Sequence, residues 1–258
     1  EDAKRLVPHA AVIRLDGDTM RRPAQAAAIW QRVEQGKWDI IVGTQLLLRR
    51  GLFPTMGLVG IVQADAGFIV PNFRSAERTY HTLLDAVSLA NSTGAGGQVI
   101  VQTYLPSHHA IQAVAQNDES VFLSEELSHR TALGYPPAVF LIALLVSGAK
   151  ETMVHDAATN WVARLSACTS PVVAGQTAEA KTPSTIHSIG QPNRLAVLGP
   201  VPSPVPRLRG RYRWQILVKS SEREAGLEAV RITVKDMERT YQRCAIKFDI
   251  DVDPIEMW

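Results

Sequence analysis

Short apolar segments alternate with helical spacers through the first half of this chain, and this alternation restricts the fold more than any other feature. Asp39-Ile-Ile-Val-Gly43 is almost wholly apolar, as strands buried on both faces are. Strand, helix and strand in regular order predict a parallel sheet with helices on both faces. The predicted strands of this half are 11–15, 39–43, 57–61 and 98–103.

A long helix is predicted from about Phe73 to Asn91, after a strand that ends at Asp65. A carboxylate at the end of a buried strand, followed by a helix that begins with Arg74, Glu77 and Arg78, suggests a nucleotide-handling α/β domain.

A further helix is expected over 108–133, starting at the adjacent His108 and His109, and it stops at Gly134-Tyr-Pro-Pro137. Glycine followed by two prolines ends a helix, so we place the domain boundary between 1–136 and 137–258.

The second part has the order β-α-β-β-α-β, with a strand at 195–198 before a proline-rich stretch over 199–206. This order predicts a small antiparallel sheet with two helices on one face. Residues 169–193 are rich in Ser, Thr, Gly, Ala and Pro, and we expect a flexible surface insertion there.

Composition excludes several classes of protein. A chain of 258 residues is long enough for two domains, and no apolar run approaches the length of a membrane span. The two cysteines, Cys168 and Cys244, have no Cys or His at ligand spacing, so neither a metal site nor a disulfide framework is predicted. We expect a monomeric cytoplasmic protein.

The net charge is only +2, but residues 194–220 contain six cations and no acid. Alternation along a strand would put the arginines on one face, where they would contact phosphates, with Tyr212 and Trp214 as a possible stacking surface. The alternative is a solvated strand face with both aromatic rings in the core. The six cations are Arg194, Arg207, Arg209, Arg211, Arg213 and Lys219.

With these residues in place, the chain resembles the PriA family (primosomal protein N′), the DNA helicases of replication restart. The resemblance covers the second helicase lobe and the C-terminal domain. It is carried by several blocks in the right order: Gly43-Thr-Gln45 with Phe53-Pro54, Phe73-Arg-Ser-Ala-Glu-Arg78, Val101-Gln-Thr103, Gly134-Tyr-Pro-Pro137, Leu198-Gly-Pro-Val-Pro202, Arg211-Tyr-Arg-Trp-Gln-Ile216 and Asp251-Val-Asp-Pro-Ile255.

The resemblance implies a RecA-like helicase lobe followed by a smaller α+β domain. It also implies roles for three groups of residues. Remnants of the ATP side are Gly43, Thr44 and Asp65; DNA contacts are Gln45, Arg74, Arg78, Arg207, Arg209 and Arg213; contacts to the acidic C-terminal peptide of single-stranded DNA-binding protein are Arg211 and Gln215. A guanidinium that faces a terminal carboxylate has the chemistry such a peptide site needs.

Each helicase-lobe assignment has a structural alternative. Asp65 is also suited to capping the turn that follows its strand. Arg74 and Arg78 flank Glu77 at helical spacing and can form ordinary surface pairs. Thr44 and Gln45 can form a turn without a ligand. The acidic end at 249–256 is interpreted as an edge strand that pairs with the arginine face, rather than as a cation site.

The departures from the family concern catalysis. The family's motif VI carries two arginines that reach the ATP phosphates, and the matching positions are Leu89 and Ser92. An arginine finger contributes roughly 10³–10⁵ in rate, and neither side chain can replace it. The family's motif V corresponds here to Gly43-Thr-Gln45 with Phe53-Pro54. After the leucines that follow Gln45, this chain has Arg49-Arg-Gly51 where the family has Lys-Gly-His. We predict no catalytic residue in this chain.

The family's cofactors are expected outside this chain. ATP and Mg²⁺ would need the first helicase lobe with its phosphate-binding loop, and zinc belongs to a Cys-rich insertion that would lie before residue 1. The implied partners are branched or single-stranded DNA, the tail of single-stranded DNA-binding protein and other primosome proteins.

Three functions therefore compete. The first is a DNA-binding replication-restart protein without helicase activity. The second is an active 3′-to-5′ helicase that uses substitute cations such as Arg49 or Arg50, and the third is a protein-interaction scaffold that does not bind DNA.

Overall fold

The structure is a computed structural model that describes residues 2–48, 53, 56–91, 97–169 and 195–256. The fold is mixed α/β. Its elements are, in chain order, α1 (Asp2–Leu6), β1 (Val12–Leu15), α2 (Pro23–Glu34), β2 (Ile40–Gly43), β3 (Leu58–Ile61), a 3-10 turn (Ala64–Gly67), α3 (Ser75–Asn91), β4 (Gln98–Val101), α4 (His109–Gln116), α5 (Glu119–Leu133), β5 (Phe140–Gly148), α6 (Glu151–Thr169), β6 (Leu195–Leu208), β7 (Arg211–Ser220), α7 (Arg223–Tyr241) and β8 (Lys247–Val252).

Several predicted features lie outside the described residues. They are Ser92, Pro54, the stretch Arg49-Arg-Gly51, and all but the first residue of the expected insertion at 169–193. No helix within the described ranges is long and apolar enough to cross a membrane.

The chain divides into two compact units, 1–70 with 74–123 and 71–73 with 124–258. The predicted boundary after residue 136 thus lies inside the second unit, because the end of α5 is held by the sheet of that unit. The Lys219 ammonium donates to the Leu133 carbonyl oxygen at 2.8 Å and lies 3.8 Å from the centroid of the Tyr135 ring. Tyr135 in turn stacks on Phe73, with ring centroids 5.3 Å apart.

In the first unit the strands pair in parallel, as predicted. Val12 of β1 is opposite Ile40 of β2, and Leu58 of β3 is opposite Gln98 of β4. The two pairs form two separate sheets in the part of the chain that the structure describes, so the predicted continuous sheet is not seen. The core beneath β1 and β2 is apolar, with buried Ile13, Leu15, Val33, Phe53 and Leu89.

The single helix predicted over 108–133 is wrong, because the structure has α4 and α5 with a break between them. Asn117 ends α4 in the left-handed conformation, at φ +52°. A carboxylate oxygen of Asp118 then accepts from the Ser120 backbone N–H at 2.9 Å, which starts a new helix. The expected helix start at the histidines is confirmed, since His108 Nδ1 accepts from the Ala110 N–H at 3.2 Å.

The second unit is the predicted antiparallel sheet, with strand order β6-β7-β5-β8. Both helices contribute to one core on one face of this sheet, as predicted. Trp161 of α6 and Met237 of α7 are fully buried there beside Ile216 of β7. The Trp161 indole N–H donates to Thr233 Oγ1 at 3.0 Å, so the buried polar group of this ring is satisfied.

The short strand predicted at 195–198 is wrong, because β6 continues through the proline-rich stretch to Leu208. Prolines are tolerated there because β6 is at the edge of the sheet and has β7 on one side only. Pro202 lies opposite Trp214, and an edge strand tolerates a proline when the position of its missing donor is on the open side. The prolines are Pro200, Pro202, Pro204 and Pro206.

Candidate nucleic-acid interface

Strands β6 and β7 form a hairpin that closes on a two-residue turn. Leu208 lies opposite Arg211, and the turn residues Arg209 and Gly210 have φ angles of +49° and +79°. Two consecutive positive φ values are typical of the turns that match the twist of paired strands, and glycine adopts them without strain. Strand β5 pairs with β7 only as far as Tyr212, so the turn extends past the end of β5.

The hairpin places its arginines on both faces of the sheet. Arg207 is opposite Tyr212, and its guanidinium carbon lies 5.0 Å from the centroid of that ring, on the helix side. Arg211 and Arg213 alternate with core-facing Tyr212, so they lie on the other face. The prediction that the arginines share one face is therefore wrong. Alternation cannot be continued through a turn, because residues that oppose each other across a hairpin share a face.

Neither aromatic ring of the hairpin is displayed for stacking. Tyr212 and Trp214 are partly buried and pack against the core of the second unit. The ring of Trp214 meets that of His155 edge to face, with centroids 4.6 Å apart. These contacts confirm the alternative in which both rings belong to the core.

The hairpin charges have no counter-ions among the described residues. Arg211 Nη2 donates to the carbonyl oxygens of Ser147 at 2.8 Å and Ala245 at 3.2 Å. Arg213 Nη1 donates to the carbonyl oxygen of Val205 at 3.5 Å. Carbonyl oxygens satisfy donors but do not cancel a formal charge. The tip therefore has a positive field that favours anionic ligands.

The two residues predicted to hold a partner peptide lie on the same face of β7. Gln215 is opposite Leu145 and Val201 and is only 9 % exposed. Its Oε1 atom is buried without a hydrogen-bond partner in the described chain. An unsatisfied buried acceptor costs about 1–3 kcal/mol, which a donor group of a ligand would offset. Arg211 lies four residues earlier and keeps Nη1 unbonded within the described ranges. Their role stays a prediction.

The residues predicted at the end of β2 form an exposed turn. A Cβ atom at Gly43 would lie 2.3 Å from the Leu15 carbonyl oxygen, so glycine is required there for strand packing. The backbone N–H of Thr44 donates to that same oxygen at 3.4 Å, and the Thr44 carbonyl accepts from Leu47 N–H at 3.0 Å. Gln45 is exposed. These contacts make a turn, and the ligand roles of Gly43, Thr44 and Gln45 stay predictions.

Asp65 anchors the loop that follows β4. One carboxylate oxygen accepts from the Thr103 hydroxyl at 2.7 Å, and the other accepts from the Tyr104 backbone N–H at 3.0 Å. The Thr103 hydrogen bond, followed by that from Tyr104, lowers the pKa of Asp65 below its ordinary value. Within the described chain Asp65 thus fixes a loop 38 residues away in sequence. Its predicted place on the ATP side stays a prediction.

The arginines of α3 lie beside an acid of the same helix. Arg74 Nη2 and Nε lie 2.5 Å and 3.1 Å from the Glu77 carboxylate oxygens. The Glu77 hydrogen bond raises the pKa of Arg74. This geometry is the surface ion pair with Glu77 that was the alternative to a DNA contact for Arg74. Arg78, one turn farther along the helix, is half-buried. DNA contacts by these two residues stay predictions.

Leu89, at the first motif VI arginine position, is 6 % exposed and belongs to the hydrophobic core of the first unit. The Leu89 side chain packs among other apolar side chains. Asp85 on the same helix is exposed.

The acidic end of the chain pairs differently from our expectation. Strand β8 is hydrogen-bonded to β5, not to the arginine-bearing β7. The acids near this strand have other partners: Asp249 of β8 lies 2.5 Å from Lys247, and Asp253, just after β8, lies 2.8 Å from Arg223. The predicted edge position is confirmed, and the predicted pairing with the arginine face is wrong, because β5 occupies the adjacent place in the sheet.

Sequence reasoning missed Tyr104 and the contacts of Lys219, which it counted only as one of six cations. Tyr104 is 85 % exposed on the loop that Asp65 fixes. Lys219 has its pKa lowered by burial at the contact with Tyr135. No local pattern marks Tyr104 or the contact of Lys219 with Tyr135. Their positions follow from contacts between segments far apart in the chain.

Comparison with known proteins gives consistent matches. Residues 131–255 match the family model described as Primosomal protein N C-terminal domain. Three similar proteins carry the name Replication restart protein PriA. The protein of Bacillus subtilis is 30 % identical over 100 % of this chain and 29 % of its own length. The protein of Synechocystis is 34 % identical over 97 % of this chain and 27 % of its own length. The protein of Haemophilus influenzae is 29 % identical over 100 % of this chain and 32 % of its own length. The chain spans about a third of the length of these relatives.

Proposed function

The chain belongs to the PriA family of replication restart proteins, and from this premise we propose that it serves replication restart by binding DNA. The observation that carries the proposal is the β6–β7 hairpin. It bears four arginines, and none of them has an acidic partner in the described part of the chain. Lys and Arg that neutralise phosphates supply most of the non-specific affinity of a protein for DNA.

We assign the first unit to a RecA-like second helicase lobe without helicase activity. Its parallel strand pairs and the order of its elements support the assignment. The burial of Leu89 supports the loss of activity, because a phosphate-facing cation cannot occupy an apolar core position. On this proposal, the side chain at position 89 does not contact an ATP phosphate.

The second unit would also receive protein partners. Gln215 offers a buried unsatisfied acceptor, and Arg211 offers a guanidinium on the same face of β7. This pair suits the acidic terminal peptide of single-stranded DNA-binding protein, since an amide and a guanidinium can bind a backbone group and a carboxylate together. Other primosome proteins are further partners of the proposed assembly.

DNA binding is tested by fluorescence anisotropy with a labelled fork at several salt concentrations. The proposal expects binding that weakens steeply as salt rises. Absence of salt-dependent binding would instead favour the scaffold function.

Loss of helicase activity needs a separate assay, because an ATPase requires the first lobe as well. The longer protein that contains this chain is mixed with ATP, Mg²⁺ and forked DNA, and turnover is measured at steady state. We expect no DNA-stimulated hydrolysis. Robust turnover would contradict the assignment and favour substitute cations, which replacement of both Arg49 and Arg50 by alanine would then test.

A further inference from the structure

We propose that the hairpin tip binds the phosphate backbone of double-stranded DNA through Arg207 and Arg209, whereas Arg211 and Arg213 hold the hairpin itself in shape. This inference rests on the proposed DNA binding and adds the form of the nucleic acid and a division of roles among the four arginines.

The division of roles follows from the hydrogen bonds. Arg211 Nη2 donates to the carbonyl oxygens of both Ser147 and Ala245. Ser147 belongs to β5, and Ala245 lies just before β8. Arg213 is bonded to Val205 across the hairpin. These hydrogen bonds use Nε and Nη2 of Arg211 and Nη1 of Arg213, and they brace the base of the hairpin. Nη1 of Arg211 is the donor that is left for the peptide site proposed above.

Arg207 and Arg209 keep their donors. The guanidinium carbon of Arg207 lies 5.0 Å from the centroid of the Tyr212 ring, a cation–π contact that uses none of its N–H donors. Arg209 occupies the turn, is exposed, and makes no hydrogen bond or ion pair within the described ranges. Two charges with unused planar donors at one tip suit phosphate oxygens.

The aromatic rings decide between double-stranded and single-stranded DNA. Proteins that bind single strands combine cations with aromatic side chains on which bases stack. Here Tyr212 and Trp214 face the helices, and the tip exposes Val205 and Leu208 instead. Without a stacking ring, the tip can contact only the backbone or a groove. A two-stranded ribbon fits the major groove of B-DNA, which is about 12 Å wide.

The free edge of β6 argues against a peptide strand as the ligand. Strand addition needs outward N–H donors, and alternate residues over Pro200–Pro206 have none. At Pro202, opposite Trp214, the edge has no N–H donor for a partner strand, whereas the tip offers positive charge.

The test compares this chain with the variant R207Q/R209Q, and R231Q/R239Q is the matched control. The control removes the same charge from α7, where Arg231 pairs with Glu228 on the exposed face. Affinity for a blunt duplex and for a single strand of the same length is measured by anisotropy at salt concentrations from about 50 to 200 mM. Circular dichroism verifies that all three proteins are folded.

Loss of two phosphate contacts reduces the slope of log affinity against log salt by about 1.8 for the duplex. The wild-type chain should therefore bind the duplex more tightly than R207Q/R209Q does. The ratio of the two affinities should fall about twelvefold as the salt concentration rises from about 50 to 200 mM. Single-strand affinity should fall no further than in the control.

Three outcomes would overturn the inference. Equal losses for duplex and single strand would make the tip a general cation patch. If the wild-type chain binds DNA and R207Q/R209Q binds the duplex equally well, the tip is not the duplex site, and the proposed function still stands. Absence of DNA binding by the wild-type chain would reject both.

Discussion

The polar groups of the two units are used in opposite ways. In the first unit, the polar residues that belong to family motifs are satisfied internally: Asp65 by Thr103 and Tyr104, and Arg74 by Glu77. In the second unit, Arg207 and Arg209 have no acidic partner in the described residues. Within the described residues, Arg207 and Arg209 therefore keep charge and donors for a ligand, whereas the satisfied groups of the first unit have little left to offer.

The largest effect is expected when the arginine of the family's motif VI is restored at position 89. Leu89→Arg places a charge in the apolar core of the first unit, and an uncompensated buried charge costs about 3–5 kcal/mol. We expect a large loss in the free energy of unfolding in urea. Leu89→Met is the control and should cost less than about 1.5 kcal/mol. A stable Leu89→Arg variant would show that this position can face solvent or a ligand.

A smaller effect is expected at the hairpin turn. Gly210→Ala puts a Cβ atom on a residue at φ +79°, and the variant should lose about 1 kcal/mol of stability. Duplex affinity should fall with it, because the turn positions Arg209. Gly17→Ala is a control in open space at an ordinary φ. If Gly210→Ala left duplex affinity unchanged, the geometry of the tip would be irrelevant to binding.

The Arg74–Glu77 pair should contribute still less. The side chains are 30 % and 20 % exposed, and a double-mutant cycle with Arg74→Gln and Glu77→Gln should give a coupling energy of about 0.5–1 kcal/mol. Arg74→Gln should change DNA affinity less than R207Q/R209Q does. A larger loss at Arg74 would reverse the comparison between the units.

The smallest effect is confined to acid. The folded-state pKa of Asp65 is below its ordinary value of 3.8, so its carboxylate stabilises the fold above that pH and the stabilisation is lost as pH falls through the folded pKa. Asp65→Asn should remove this part of the acid dependence, measured as the urea midpoint between about pH 5 and pH 2. Asp85→Asn, an exposed carboxylate on α3, is the control. Identical acid profiles for the wild type and Asp65→Asn would contradict the anchoring role of Asp65.

Periodicity was sufficient for most elements and failed where the chain reverses. The parallel pairing of β1 with β2 and the two helices on one face of the second sheet follow from local patterns. The break at Asn117 was missed because a left-handed residue leaves little trace in the spacing of apolar residues. The predicted strand at 195–198 is shorter than β6 because prolines usually end strands. Prolines are tolerated at the edge of a sheet, and the edge position of β6 depends on tertiary structure that a local pattern does not show.

The candidate site was predictable in composition but not in orientation. The lack of acid over 194–220 is visible in the sequence and marks the basic hairpin. Which face each arginine occupies depends on the position of the turn, Arg209-Gly210, and on pairing with β7. The internal partners of Asp65 and Arg211 lie far away along the chain, so no local pattern shows that these side chains hold structure.

The alternating prolines of β6 also affect how its motions can be observed. Pro200, Pro202, Pro204 and Pro206 carry no amide proton, so they are silent in hydrogen–deuterium exchange. The remaining amides of this stretch belong to the residues between them, such as Val201, which lies in register with Gln215 of β7. Deuterium uptake at Val201 therefore reports the opening of the β6–β7 pairing at this register position. One peptide over this stretch can measure how often the hairpin opens, with and without DNA.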